Sequence, residues 1–395
     1  MMARFLHCAD LHLGKHAYGN PERFLDMMRA FSYAADYAIK EKLDFILISG
    51  DIFDARVINS ATLSQAVSIF EKLSQNRMDV YAIEGNHDRA FLRDRDSWLH
   101  FLEGRGYLKL LRPTVSGQDV LFEEYRQGAG CVAIAAGVRL IGLGYPGASC
   151  GTYLQKMDEW LQKTEDYTVL LLHAGFSNIF SEDMGRMDMA LLEKVFDRVD
   201  YVAMGHIHRR EEMLGRVYMP GSTEYTDSRE AMRRDEKGFY TVDTGTSSIS
   251  FIPVPVRPYC FFDVDAGEST DIAETILKKT GVLKGNPVLG VTLRISGPLA
   301  DKKELEQKVA QESGALLAEI TVVSGAGLET ADDFKTLNRE DFERAVLFNL
   351  LSENGMKEER AAALAAYAME LKKNANDFDP ELALAGLLEV SRNAD

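Results

Sequence analysis

Little in this sequence of 395 residues could cross-link it, and little could anchor it in a bilayer. Its four cysteines, Cys8, Cys131, Cys150 and Cys260, are far apart with no C-x-x-C pair, which excludes a disulfide framework and a zinc-thiolate site and fits a reducing cytoplasm. Long apolar runs are also missing. The longest, Cys131 to Tyr145, is broken by Arg139 and several glycines, so it reads as two buried strands joined by a turn and not as a membrane span. Residues Met1 to Leu13 lack the basic segment, apolar run and cleavage site of a secretory signal. Positive charge is short: 45 Lys and Arg against 61 Asp and Glu give a net −16. A chain so acidic does not hold a polyanion over its whole surface, and any nucleic-acid contact is local. One basic cluster exists, Arg209, Arg210, Arg229, Arg233, Arg234 and Lys237, and it reads equally well as solvated surface charge.

What is present is ample apolar material, 46% of residues, enough for two or three domains. Phe5–Ala9, Phe45–Ser49, Val80–Glu84, Arg139–Leu143, Thr168–Leu172 and Tyr201–Met204 are compact apolar runs that read as buried strands. Between them, Glu22–Lys42 puts Phe24, Met27, Met28, Phe31, Ala35 and Ala38 on one helical face, and Asn59–Gln75 does the same with Leu63, Val67, Phe70 and Leu73. The alternation predicts a layered α/β domain with its ligands at the carboxyl ends of the strands. Gly215–Ser222, Gly238–Asp243 and Ser248–Val256 read as successive strands of a second sheet.

Three prolines, Pro253, Pro255 and Pro258, mark a boundary. A β-α-β-α-β unit follows, with strands at Tyr259–Asp265, Val288–Ser296 and Ala315–Val323 and helices at Thr270–Thr280 and Asp301–Glu312. Beyond Gly325 the pattern turns helical. One helix runs from Asn338 to Asn354, with Gly355 as its stop. A second spans Lys357–Lys373, and Asp379-Pro380 opens a third. The first is too broadly apolar for a surface helix and reads as a docking element. Residues 330–395 hold fourteen acidic and eight basic side chains, unlike a nucleic-acid-binding arm.

The chemistry lies in five short segments. Asp10-Leu11-His12, Gly50-Asp51, Gly85-Asn86-His87-Asp88, His173 and Gly205-His206-Ile207-His208 each stand at the end of an expected strand. Two Asp, one Asn and several imidazoles make an O/N ligand set suited to a pair of manganese, iron or zinc ions. Asp51, directly after a strand and a glycine, can bring one carboxylate to both ions, the arrangement that clamps the attacking and leaving oxygens of a phosphoryl displacement. Asp10 and His12 project to one side, as do His206 and His208. Asn86 offers a carbonyl ligand. His87 is placed to protonate a leaving alkoxide or to stabilise phosphoryl charge, with Asp88 orienting its ring. A lone D-x-H or H-x-H is weak evidence, but all five segments in order make a dinuclear hydrolytic centre the leading reading.

In this order the segments resemble the signature of the calcineurin-like metallophosphoesterases over roughly the first 250 residues. The forms Phe5-Leu6-His7-Cys8-Ala9-Asp10-Leu11-His12-Leu13-Gly14, Ser49-Gly50-Asp51-Ile52-Phe53-Asp54, Gly205-His206-Ile207-His208 and Pro220-Gly221-Ser222 are most similar to the SbcD-type branch of DNA repair exonucleases. The resemblance implies a four-layer α/β/β/α sandwich with a small α/β capping domain and a C-terminal helical segment, divided at residues 1–256, 257–328 and 329–395. It further implies one metal on Asp10, His12, Asp51 and His208, another on Asp51, Asn86, His173 and His206, and His87 as catalytic acid or transition-state stabiliser. Manganese-dependent cleavage of DNA, a DNA-contacting cap, C-terminal helices docked on an SMC-like coiled-coil ATPase, and a homodimer complete the expectation. Two features depart from the branch: Ala174 follows His173, and Asp54 stands where some relatives have histidine. They leave open a smaller phosphodiester or a phosphoprotein as substrate, and an assembly subunit with a vestigial site is the remaining alternative.

Of the other candidates, His7 reads as a hydrogen-bonded core residue, His16 and His100 as surface, and Cys8 as packing.

Overall fold

The computed structural model describes residues 2–91, 96–116, 119–126, 128–176, 186–187, 189–267, 269, 271–296, 299, 301–324, 347–348 and 358–373. Two six-stranded sheets carry the chemistry. In the first, Arg4–Cys8, Phe45–Ser49, Asp79–Ile83 and Lys109–Leu110 run parallel and in chain order. In the second, Val138–Gly144, Tyr167–His173, Tyr201–Gly205 and Val217–Met219 run parallel, with antiparallel edge strands Val132–Ala135 and Glu211–Met213.

Side-chain alternation stacks these sheets into layers. Leu6, Cys8, Ile46, Ile48, Val80 and Ala82 point to one side, where they pack against Phe24, Phe31 and Phe70 of the helices Pro21–Lys40 and Ser60–Gln75. The other face gives Phe5, Phe45, Leu47, Tyr81 and Ile83, which meet Leu140, Val169, Leu171, Tyr201 and Ala203 of the second sheet. That sheet's outer face buries Ile141, Leu143, Leu170 and Leu172 under Leu154 and Met157 of the helix Cys150–Trp160. The result is an α/β/β/α sandwich. Each fully buried Leu or Phe in it contributes roughly 1.5–3 kcal/mol. Asn20 and Asn59 cap the first two helices by accepting from Glu22 N and Thr62 N.

The apolar run from Cys131 is, as expected, a hairpin: Val132–Ala135 and Val138–Gly144 pair around Ala136 and Gly137, both at positive φ. Gly238–Asp243 and Ser248–Pro253 do not build a separate sheet. They extend the first one antiparallel on the far side of its first strand, where Phe5 pairs with Val242. Local pattern identifies a strand but not its partner, and a hairpin at an open sheet edge is indistinguishable from the start of a new sheet.

After the proline-rich segment, Tyr259–Gly267, Val288–Ile295 and Leu317–Ser324 form a three-stranded sheet with helices Ile272–Thr280 and Lys302–Ser313. By internal contacts the chain divides into one unit of Met1–Val264, Asp271–Leu293 and Asp301–Thr321 and a second of Asp265–Thr270, Arg294–Ala300 and Val322–Asp395. In the second unit the helix expected at Lys357–Lys373 is present as Glu358–Lys373 and buries Ala361, Ala365 and Met369. Apart from residues 347–348, the helices expected at Asn338–Asn354 and after Asp379 lie outside the described residues. No described helix is long and apolar enough to cross a membrane.

Candidate metal centre

Five parallel strands of the two sheets end in Cys8, Ser49, Ile83, His173 and Gly205. The residues expected as ligands follow or close these strands, and the loops between them are laced together: Asp10 N donates to Gly50 O (3.1 Å) and His12 N to Asp51 O (3.1 Å). Close approach explains the glycines of the motifs. A Cβ on Gly85 would lie 2.0 Å from Asp51 Oδ1, and one on Gly205 would lie 2.1 Å from Ser49 O. Asp10, His12, Asp51 and His206 all hold positive φ, at 52°, 45°, 51° and 93°. Strained backbone on four neighbouring polar residues marks a site whose surroundings enforce its geometry.

Asp51 stands at the middle. Its Oδ1 accepts from His87 N (2.8 Å), and its Oδ2 lies 3.3 Å from His173 Nε2 and 4.0 Å from His12 Nε2. To one side, His12 Nε2 and His208 Nε2 face each other at 2.9 Å, with Asp10 in the same group. To the other, Asn86 Oδ1 lies 3.1 Å from His173 Nε2 and 3.0 Å from His206 Nδ1, while the Asp10 carboxylate accepts from His206 N (3.0 Å). All seven expected ligands are thus brought together, with Asp51 shared between the two sides.

The ring tautomers are set from behind. His173 Nδ1 donates to Ser49 O (2.8 Å), and His208 Nδ1 lies 2.8 Å from Glu230 Oε1, so each turns Nε2 inward. His12 Nδ1 is 3.1 Å from Asp54 Oδ1 without hydrogen-bond geometry. Glu230 is itself fixed by buried Lys237 (2.7 Å), whose Nζ also donates to His208 O (2.7 Å). Burial disfavours ionised Glu230, but His208 and Lys237 outweigh it and hold the carboxyl far below its usual range.

The charges of the site are strongly coupled. Burial works against a charged Asp51, yet His173 and His12 hold it well below an ordinary carboxylate. Burial likewise opposes a charged His173, and Asp51 and Asp10 override it, pushing the ring up to about 9. His206 is pushed down to about 4 by burial and by His173. Two imidazole nitrogens aimed at each other, two more drawn to one amide oxygen, and carboxylates between them fit divalent ions with mixed N/O coordination. Bound there, such ions would supply Lewis acidity and charge neutralisation.

His87 sits beside this group, its ring 5.0 Å from that of His12. Its Nδ1 donates to Asp54 O (2.6 Å), leaving Nε2 without the proton in the neutral ring. The expected orienting role of Asp88 is not what the contacts give. Its carboxylate is buried and accepts from Ile52 N (3.2 Å), Phe53 N (3.0 Å) and Gly85 N (3.0 Å), which pins the two loops carrying Asp51 and Asn86. Burial and the charge of Asp51 push it up to about 7. The Asp54 carbonyl orients His87 instead.

Other expectations resolve plainly. His7 is a core residue between Tyr201 Oη (2.9 Å) and Ser49 Oγ (3.0 Å), pushed down to about 3 by burial. His16 is exposed and stacks on Phe24. His100 was expected at the surface but is half-buried, its Nδ1 accepting from Ser97 N (3.0 Å) in a capping box. Cys8 is buried packing, and all four cysteines are unpaired. In the basic cluster, Arg209 pairs with Glu211, Arg210 with Glu212 and Glu236, Arg229 with Asp227, and Arg233 with Asp235. Glu230, Thr226, Lys237 and Asp54 are supports that sequence reasoning does not identify as such; the signals in the sequence are Pro220-Gly221-Ser222, the basic cluster that includes Lys237, and the departure at Asp54.

The model of the calcineurin-like phosphoesterase family matches residues 3–210, over half of the chain, and the chain belongs to that family. Within it, the chain is similar to the DNA double-strand break repair protein Mre11 of Archaeoglobus fulgidus, 31% identical over 59% of this chain and 54% of that one. The Mre11 proteins of Saccharolobus solfataricus (29% identical, 65% of each chain) and Methanocaldococcus jannaschii (29%, 72% of this chain and 75% of that one) are also similar. The chain therefore spans less than two thirds of the length of the first two of these relatives.

Proposed function

We propose that this chain is a metal-dependent DNA nuclease that hydrolyses phosphodiester bonds at a two-ion centre, with manganese as the working metal. The observation that carries the reading is Asp51, one carboxylate set between an Asp10–His12–His208 group and an Asn86–His173–His206 group. One ion would draw on Asp10, His12, Asp51 and His208, the other on Asp51, Asn86, His173 and His206. His87, protonated at Nε2, would give a proton to the leaving oxygen or stabilise phosphoryl charge, with the Asp54 carbonyl holding the ring. Asp88 would act on the reaction only through the loops it ties. DNA as substrate is supported by the Mre11 relatives, which are named for double-strand break repair.

In the same proposal residues 1–256 are the catalytic domain, 257–328 a capping domain that contacts DNA, and 329–395 a helical segment that docks on an SMC-like coiled-coil ATPase. The protein would act in the cytoplasm as a homodimer. The deciding experiment is a manganese-dependent assay on linear single- and double-stranded DNA with wild type, His87→Ala and Asp51→Ala. Cleavage by wild type alone, with metal retained in His87→Ala, is expected. Hydrolysis of bis-p-nitrophenyl phosphate with DNA left intact would overturn the nuclease reading in favour of a phosphoesterase for smaller substrates. Unchanged co-purification with the ATPase after deletion beyond Gly325 would remove the docking assignment.

A further inference from the structure

Among the described residues, the two helices after the proline-rich segment cover one face of the three-stranded sheet. Val264, Val291, Leu293 and Ile320 are buried on the side of the helices that contribute Ala273, Ile276, Leu305 and Val309. By alternation the opposite face carries Tyr259, Phe261, Gly290, Thr292, Glu319 and Thr321. These residues line a cleft of about 680 Å³ whose other wall includes Tyr225, Met232 and Arg234. That volume falls within the roughly 300–1,000 Å³ of small-ligand sites.

The chemistry of this cleft is specific. Phe261 lies close against the neighbouring strand, since a Cβ on Gly290 would come within 2.5 Å of its ring. Its ring stacks with Tyr259 (centroids 6.0 Å, 26°), and Tyr225 meets Tyr259 edge-on at 5.4 Å. The rings thus form a fixed aromatic platform, flanked by hydroxyls and carboxylates able to bond a planar heterocycle. Arg257 also lines the cleft but is committed to Asp26. Arg234 differs from the rest of the basic cluster. Arg210, Arg229 and Arg233 pair with carboxylates and Lys237 is buried on Glu230, whereas exposed Arg234, at φ 58°, has no ion pair among the described residues.

We propose that this cleft binds one unpaired nucleotide of single-stranded DNA, its base on the Phe261–Tyr259 platform and its phosphate at Arg234. The proposal rests on the nuclease reading for the identity of the polymer. Aromatic platforms with a nearby cation hold single strands largely by stacking. Such a site suits a chain of net charge −16, because it needs one local cation and no broad basic surface.

The test uses the full chain with a chelator present, so that nothing is cut. Fluorescence anisotropy would follow a labelled twelve-nucleotide oligothymidylate and a blunt hairpin duplex. Wild type should prefer the single strand. Phe261→Leu should weaken that binding roughly tenfold, the order of one lost base stack, and leave duplex binding within about twofold. Arg234→Gln, on the surface, should weaken it several-fold and reduce the slope of log affinity against log salt by about one. Both variants should hydrolyse bis-p-nitrophenyl phosphate with manganese as wild type does. Unchanged single-strand affinity in both variants, equal losses for strand and duplex, or no single-strand binding by wild type would overturn the proposal. The nuclease reading fails differently: wild type with manganese would bind the oligonucleotide and leave it whole.

Discussion

Two buried clusters of charge lie in the same sandwich, and they differ in what faces their carboxylates. Around Arg23, whose side chain is fully buried, Nη1 donates to Asp26 Oδ2 (2.8 Å) and Nη2 to Tyr225 O (2.7 Å) and Glu224 Oε1 (3.3 Å). Arg257 grips Asp26 with two nitrogens (2.6 and 2.9 Å), gives Nη1 to Asn286 O (2.8 Å), and its backbone N donates to Glu224 Oε2 (3.2 Å). Each carboxylate there meets a cation. At the metal centre His173 meets Asp51 at 3.3 Å, but the other members are turned toward one another, with imidazole facing imidazole at 2.9 Å and two imidazoles on one amide oxygen. A cluster whose carboxylates are each matched by a guanidinium holds structure together. One that leaves lone pairs aimed at a common point is built for a cation.

The sharpest way to break this comparison is at Asp51. Asp51→Asn should lower manganese-dependent hydrolysis of bis-p-nitrophenyl phosphate by more than the roughly 100-fold that loss of a metal's outer support costs. Metal content measured by mass spectrometry should fall in parallel, and the thermal midpoint of the chelated protein should not drop. A variant that keeps its metal and its activity would remove Asp51 from the shared position.

Asp26→Ala should do the reverse. It removes the carboxylate that Arg23 and Arg257 share, leaving Arg23 with Glu224 and Arg257 with Glu22, and breaking a buried pair from one side costs about 3–5 kcal/mol. Urea denaturation should show that loss, while activity per folded molecule stays within a few-fold. A cost below about 1 kcal/mol would mean that the cluster is solvated and not structural.

Glu230→Gln separates support from ligation. The amide can still accept from His208 Nδ1 but no longer offsets Lys237, so metal affinity should fall roughly 10- to 100-fold. Titration of the chelated protein with manganese would measure it. An unchanged affinity would make the His208–Glu230–Lys237 chain ordinary packing.

The contrast also explains what could be read from sequence. The ligands were legible because each follows a strand end, and a strand end with Gly and a polar residue is a local signal: Gly50-Asp51, Gly85-Asn86 and Gly205-His206 announce themselves. Their supports are not local. Glu230 reaches His208 from a five-residue helix 22 positions on, and Ser49 reaches His173 with a backbone carbonyl that any residue would provide. Asp88 departs from expectation for the same reason: adjacency to His87 suggests a side-chain partner, and two of its three amide partners come from a loop 35 and 36 positions away. The strands at Gly238–Asp243 and Ser248–Pro253 were read as strands, but their sheet depends on which edge is free. Arg23 lies in a helix beside Glu22 and Asp26 and looks like surface charge until Arg257 and Glu224 are folded onto it.

The smallest effect tests whether burial, and not ion pairing as such, separates the two clusters. Arg29 also holds Asp26, at 2.9 Å, but its side chain is 56% exposed. Solvent screens that pair, and the long side chain loses rotamer freedom to make it, so Arg29→Ala should cost under about 1 kcal/mol in urea denaturation. The same carboxylate is then read from two sides, through the buried Arg23 and the solvated Arg29. If Arg29→Ala destabilised as much as Asp26→Ala, the charge count around Asp26 would control stability, and the closed geometry of its buried partners would not.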